Sequence, residues 1–204
     1  MNARQIMDSA DFQRCADFHG HICPGLSIGY KAAKLALHKI EESRSADEEI
    51  VAIVETDACS ADAVQVLTGC TFGKGNLISK DYGKMALTLL SRKTGRGVRV
   101  ALKPGAFSPD ERHLELLGKV MRGAATPDEI ARFHALHLQR SRDVLETPAD
   151  QLFAVKEVCM QLPPRARIEP SEACPRCGEP TMRTKLETVD GERLCRGCLE
   201  KSMS

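Results

Sequence analysis

Within Phe18-His19-Gly20-His21-Ile22-Cys23-Pro24-Gly25, two imidazoles and a thiol fall inside five residues. Neutral imidazole and thiolate are the donors that zinc and other borderline divalent ions prefer, so this is a candidate metal-binding segment. His19, His21 and Cys23 alternate along the chain. In extended backbone, alternate side chains project to one side, so all three can face one centre. Gly20, Pro24 and Gly25 permit a tight path and keep a helix from running through the segment. A helix-helix turn with solvated histidines and a buried, inert Cys23 satisfies the same pattern.

A second group follows the run Ile50-Val51-Ala52-Ile53-Val54, whose largely β-branched composition predicts a buried strand. That strand delivers Asp57-Ala58-Cys59-Ser60-Ala61-Asp62, and residues 61–68 predict a short helix with Val64 and Leu67 inward. At the strand-to-helix turn, Asp57 and Cys59 can complete a site begun by His21 and Cys23. They would serve as outer acceptor and ligand, or as general base and nucleophile. The simpler alternative makes Asp57 a helix cap and Cys59 a packing residue.

The third group is the most specific. Cys174-Pro175-Arg176-Cys177-Gly178 and Cys195-Arg196-Gly197-Cys198 are two C-x-x-C pairs at the separation of a structural zinc site. Residues 188–192, with Asp190-Gly191, predict a hairpin turn between them. So short a segment cannot bury enough surface to fold unaided, and four thiolates on zinc would supply much of its stability. Its basic residues equal its acidic ones in number and it has no aromatic side chain, so nucleic acid is not the expected partner.

The elements that position these groups are also legible. Asp8 or Ser9 caps a helix to about Phe18, with Phe12, Cys15 and Ala16 inward and Gly20 ending it. A second helix starts at Pro24, with Leu26, Tyr30, Ala33, Leu37 and Ile40 on its buried stripe and Lys31, Lys34 and Lys39 toward solvent. Its N-terminus lies beside Cys23 and is expected to lower that thiol's pKa. Gly69-Cys70-Thr71-Phe72-Gly73-Lys74-Gly75-Asn76 lacks the spacing of a phosphate-binding loop and reads as a structural turn. Strands beginning at Leu77, Met85 and Val98 predict an antiparallel meander. Ser108-Pro109-Asp110-Glu111 and Thr126-Pro127-Asp128-Glu129 each supply a cap, a first-turn proline and a glutamate. The helices they open would carry Leu114, Leu117 and Val120, then Ile130, Phe133, His137 and Leu138, inward. His134 and His137 read as structural or surface histidines, and residues 152–158 as a last core strand ending at Cys159.

The fold class expected is α+β, an antiparallel or mixed sheet packed with helices over residues 1–165, with a small zinc module over residues 166–204. Lys plus Arg is 29 against 28 for Asp plus Glu, which provides no global field for nucleic acid or an anionic membrane. No apolar window is long enough to span a bilayer, and the N-terminus lacks a hydrophobic targeting region, so a cytoplasmic location is expected. Nine cysteines then point to metal or thiol chemistry in a reducing compartment.

Four motifs in order give a more specific reading. They are the 18–26 segment with Gly29-Tyr30, the run from Asp57 to Ala63, the run from Thr68 to Leu77, and Asp81-Tyr82-Gly83-Lys84. Together they resemble the FmdE-like family, which takes its name from a component of formylmethanofuran dehydrogenase. The resemblance implies an α+β domain with both His/Cys motifs in one metal-binding cleft, a C-terminal treble-clef zinc finger using Cys174, Cys177, Cys195 and Cys198, and a homodimer. It also implies other subunits of a molybdenum or tungsten enzyme as partners. The chain has no C-x2-C-x2-C-x3-C run for iron-sulfur clusters. An accessory protein of one-carbon (formyl or carbon dioxide) metabolism is therefore expected, with structural zinc in the finger. Its core would hold zinc or another divalent metal by some subset of His19, His21, Cys23 and Cys59. Two alternatives are a small metal-dependent enzyme with Asp57 as base and Cys59 in the same turn, and a redox or regulatory protein using Cys23, Cys59 or Cys70.

Overall fold

The computed structural model describes residues 1–108 and 110–201. The chain divides into two compact units, Met1–Arg165 and a shorter one beginning at Ala166.

In the first unit, α1 (Ala3–Met7) and α2 (Ala10–His19) lead to α3 (Pro24–Ile40), followed by β1 (Ile50–Val54), α4 (Ser60–Thr68) and β2 (Leu77–Ser79). Next come β3 (Ala86–Ser91), β4 (Gly97–Leu102), α5 (Glu111–Met121), α6 (Pro127–Glu146), α7 (Ala149–Leu152) and β5 (Phe153–Val158). The sheet order is β2-β1-β3-β4-β5. β3, β4 and β5 form antiparallel neighbours. The predicted meander fails at its first strand, because β2 lies on the far side of β1 and runs parallel to it. The helix α4 between β1 and β2 is the crossover that a parallel pair requires and a hairpin does not.

β1 is buried along its whole length because both sheet faces are covered. Ile50, Ala52 and Val54 join the main core with α3 and α4, whereas Val51 and Ile53 pack with Leu90, Ile78 and Leu162 on the other face. α3 is the central helix of that core. Leu26, Tyr30, Ala33, Leu37 and Ile40 form its buried stripe, and Phe12 of α2 meets Tyr30 edge-on at 5.2 Å. At Gly29 the backbone of α3 passes directly over the start of α4. A Cβ there would stand 2.4 Å from the Ser60 carbonyl oxygen.

Three sequence expectations are corrected. Lys31 is not a solvent-facing lysine: its Nζ donates to the Val144, Leu145 and Thr147 carbonyls at the end of α6, and burial lowers its pKa. The cation thus caps α6 and ties it to α3. α5 is capped by Asp110, whose Oδ1 accepts from the His113 amide at 2.8 Å, rather than by Ser108; Pro109 lies outside the described residues. That later start shifts the buried phase to His113 and Leu116, leaving Leu114 exposed; Ile130 on α6 is exposed too. α6 begins as expected, with Thr126 and Glu129 closing a capping box.

The glycine-rich segment after α4 is a structural turn. Buried Asn76 donates to the Asp47 and Ile50 carbonyls and accepts from the Thr71 amide, while the Cys70 thiol donates to the Ile50 carbonyl. Beyond β1, Glu55 receives both Nε and Nη2 of Arg99 from β4, at 2.6 and 2.7 Å. This two-point bond spans β3 and fixes the strand end from which the Thr56–Cys59 turn departs.

The second unit contains the strand pair β6 (Ser171–Ala173) and β7 (Pro180–Met182), the hairpin of β8 (Leu186–Val189) and β9 (Glu192–Cys195), and α8 (Arg196–Glu200). Asp190 and Gly191 both have positive φ, 52° and 84°, as a two-residue hairpin turn demands. Among the described residues, no helix is long and apolar enough to cross a membrane.

Gly29→Ala should destabilise the first unit by about 1–3 kcal/mol in denaturant unfolding, since the clash is with backbone that cannot rotate away. A pH-dependent effect is expected at the sheet end. Arg99 holds the Glu55 carboxyl below its ordinary 4.5. A depressed carboxylate stabilises above its unfolded pKa, and that contribution is lost as pH falls through the folded value. Glu55→Gln should therefore cost about 1.5–3 kcal/mol at pH 7 and flatten the decline in stability below pH 4.5, read from unfolding curves across pH.

Candidate metal centres

α2 ends where Gly20 turns left-handed at φ 89°, which leaves His19 in the last helical turn and frees the next residues from the helix. The chain then runs extended into Cys23, the cap of α3. One donor atom from each of His19, His21 and Cys23 lies within 4.8 Å of the other two. His19 Nε2 is 3.7 Å from Cys23 Sγ. Around a tetrahedral zinc, an imidazole nitrogen and a thiolate sulfur stand about 3.6 Å apart, so the pair fits a shared ion with little movement.

The far side of the His19 ring is held by Asp62, whose Oδ2 lies 2.7 Å from Nδ1. That contact places the proton on Nδ1 and turns the Nε2 lone pair toward Cys23, as in carboxylate-histidine-metal arrangements. Sequence reasoning gave the outer acceptor's role to Asp57; it is Asp62 in the first turn of α4 that contacts His19, while Asp57 is exposed. The available signal was helical spacing, since Asp62 lies three residues after Cys59.

Cys23 is 2% exposed and its sulfur accepts the Leu26 amide at 3.3 Å. Burial pushes the thiol up to about 12, outweighing the Leu26 amide, and the neighbouring Cys59 raises it further. The expected lowering by the helix N-terminus is thus overturned by desolvation. A cation in the site would supply the missing counter-charge.

Cys59 stands outside the His19–His21–Cys23 set but beside Cys23. A Cβ on Gly25 would be 3.7 Å from the Cys59 sulfur and 3.9 Å from that of Cys23. His21 is exposed and its ring lies 4.4 Å from that of His19, so the cluster has one side open to solvent. Partial desolvation lowers the His21 imidazole, with His19 adding to the effect. On α6, His137 approaches closely enough for His21 to contribute to its own lowered pKa, behind burial and His113. His137 Nδ1 is 3.0 Å from His113 Nε2 and its ring packs on Phe133, whereas His134 is exposed. These rings fasten α5 to α6.

The four cysteines of the second unit form a closed set. Sulfurs at about 2.3 Å from a tetrahedral zinc are about 3.8 Å apart. Cys174 and Cys198 are separated by 3.9 Å, and Cys177 and Cys195 by 3.8 Å. The Gly178 amide donates to the Cys174 carbonyl in the first turn, and the Cys195 amide donates to the Cys174 sulfur. The amides of Cys195 and Cys177 bring the Cys174 thiol down to about 6, while burial drives Cys198 up to about 12. The Cys174 thiolate is thus ready for a cation, whereas Cys198 needs one to ionise. Among the described residues, Leu194 with partly buried Leu186 and Leu199 joins Cys174, Cys195 and Cys198 in an apolar cluster, too small to hold the unit alone. Chelation should unfold residues 166–201 while leaving the first unit's amide protection intact, and Cys198→Ser should remove the zinc bound there, read by hydrogen exchange and metal analysis.

Residues 18–154 match the family described as FmdE, molybdenum formylmethanofuran dehydrogenase operon, and residues 166–202 match the prokaryotic dksA/traR C4-type zinc finger. A protein of Archaeoglobus fulgidus described as a probable S-adenosyl-L-methionine-binding protein is 38% identical over 194 residues. That alignment takes in 91% of this chain but 51% of the relative, so the chain spans about half the relative's length. The crystal structure of a tungsten formylmethanofuran dehydrogenase FmdE-like protein from Syntrophus aciditrophicus superposes with a TM-score of 0.63 at 26% identity, covering 99% of this chain and 94% of that one. The family match extends over more than half of the chain and contains His19, His21, Cys23, Cys59 and Asp62: this protein belongs to the FmdE family and carries a C4-type zinc finger after its family domain.

Proposed function

We propose that this is a metal-binding accessory protein of one-carbon metabolism, whose core holds zinc or another divalent ion through His19, His21 and Cys23, with Cys59 beside them. The observation that carries the reading is the convergence of the three donors with the Asp62 carboxylate behind His19. Turns and caps alone require none of this. An outer carboxylate makes the imidazole a better ligand and fixes its orientation. The open side at His21 leaves room for an exogenous ligand, as in sites that bind or activate rather than only brace. The family's description ties it to a formylmethanofuran dehydrogenase operon, which supports an accessory role beside such an enzyme.

Metal analysis of the full chain tests this proposal. Two zinc ions per chain are expected, one lost in Cys198→Ser and the other in Cys23→Ser. Asp62→Asn should keep the core ion but weaken its affinity by about 10–100-fold. A single ion that disappears entirely in Cys198→Ser would refute a core centre.

The printed description of the Archaeoglobus relative motivates a second reading, in which S-adenosyl-L-methionine occupies the open side. Calorimetric titration of that compound into zinc-loaded protein and into Cys23→Ser separates the readings: binding abolished by the substitution favours this one. In a catalytic version, an ion held by His19, His21 and Cys23 would supply Lewis acidity toward a bound water and Asp57 would act as base. Asp57→Asn would then abolish turnover while leaving metal content unchanged.

A further inference from the structure

Cys23 and Cys59 come from different elements, yet both sulfurs lie within 4 Å of the position a Cβ on Gly25 would take, the residue whose missing side chain leaves room for both. A Cβ at that position would also lie 3.1 Å from the Cys59 Cβ. The Cys59 thiol is close enough to Cys23 to raise its pKa, after burial, which is the main cause. Cys59 is half-buried and reachable from solvent, whereas Cys23 is enclosed. The neighbouring core thiols are placed differently. The Cys70 thiol donates to the Ile50 carbonyl inside the core, and Cys15 is buried and pushed up to about 11 by desolvation. An accessible thiol backed by an enclosed one is the arrangement of an attacking cysteine and its resolving partner.

We propose that Cys23 and Cys59 form a hydroperoxide-oxidisable dithiol that closes to a disulfide and releases the core ion. In the first step the Cys59 sulfur attacks one oxygen of hydrogen peroxide. The O–O bond breaks, Cys59 becomes a sulfenic acid, and the other oxygen leaves as water with the thiol proton. In the second step the Cys23 sulfur attacks the Cys59 sulfur, the S–O bond breaks and a second water leaves. Peroxide gains the two electrons the sulfurs lose. A disulfide is not a thiolate donor, so the ion loses Cys23 as a ligand. Ion release rests on the proposed core metal site; disulfide formation does not.

The experiment exposes zinc-loaded full-length protein to hydrogen peroxide, maps peptides without reduction and follows free zinc with a chromogenic chelator. A cross-link between the Cys23 and Cys59 peptides is expected in wild type and in Cys70→Ser, and absent in Cys59→Ser. In Cys23→Ser the resolving thiol is gone, so Cys59 should accumulate as a sulfenic acid trapped by dimedone. Wild type should release more zinc than Cys59→Ser. Oxidised wild type with no cross-link between the Cys23 and Cys59 peptides, whether Cys59 stays reduced or is oxidised alone, would overturn the inference. If the untreated protein carries only the finger's zinc and the cross-link still forms, the dithiol stands and the core metal centre falls.

Discussion

Close passage of α3 over the first turn of α4 is the constraint on which the rest of the first unit depends. Gly29 is where a side chain would force the helices apart, because the obstacle is the Ser60 backbone itself, and at Gly25 a Cβ would come within a tight 3.1 Å of the Cys59 Cβ. The consequence is chemical as well as structural. Cys59 stands just before α4 and Asp62 sits in α4's first turn; close packing of the two helix starts brings Cys59 beside Cys23, the cap of α3, and Asp62 onto His19. β1 anchors the second half, since Glu55 at its end is gripped by Arg99 and the turn to Cys59 follows at once. Core packing and the donor cluster are therefore one arrangement.

The two cysteine-bearing centres divide their work between closure and access. In the finger, four thiols surround a point at tetrahedral spacing and the local apolar cluster is small, so the metal contributes stability the chain lacks. The first unit has a core large enough to fold without an ion. Its cluster is exposed on the His21 side, and its enclosed thiol is costly to ionise without a counter-charge.

Local patterns were readable where local physics decides them. The caps at Ser9 and Thr126, the β-branched run of β1, the Asp190-Gly191 turn and the paired C-x-x-C motifs all depend on residues a few positions apart. Contacts between distant segments were not. Placing Lys31 under the end of α6 requires knowing where α6 lies, and hydrophobic spacing on α3 shows only that Lys31 flanks the buried stripe. The parallel placement of β2 was missed because a three-residue strand carries little periodicity of its own. Asp62 and Asp57 are equally acidic in the sequence; orientation toward His19 separates them, and orientation is tertiary.

The cysteines make the same point about chemistry. Composition treats Cys15, Cys23, Cys59, Cys70 and Cys159 as equivalent thiols of one reducing compartment. Environment separates them: Cys15 and Cys70 are enclosed and raised by burial, Cys159 is exposed, and Cys23 is enclosed but next to both an imidazole and a second thiol. Helix N-termini favour thiolates, yet at Cys23 the field of α3 loses to desolvation because the sulfur is almost entirely withdrawn from water. The dipole is a correction of a few tenths to one kcal/mol at exposed ends, whereas removing a charge from water costs several. A thiolate at position 23 would therefore need a cation more than it needs a helix, and Nε2 of His19, whose other ring nitrogen faces Asp62, lies 3.7 Å from that sulfur.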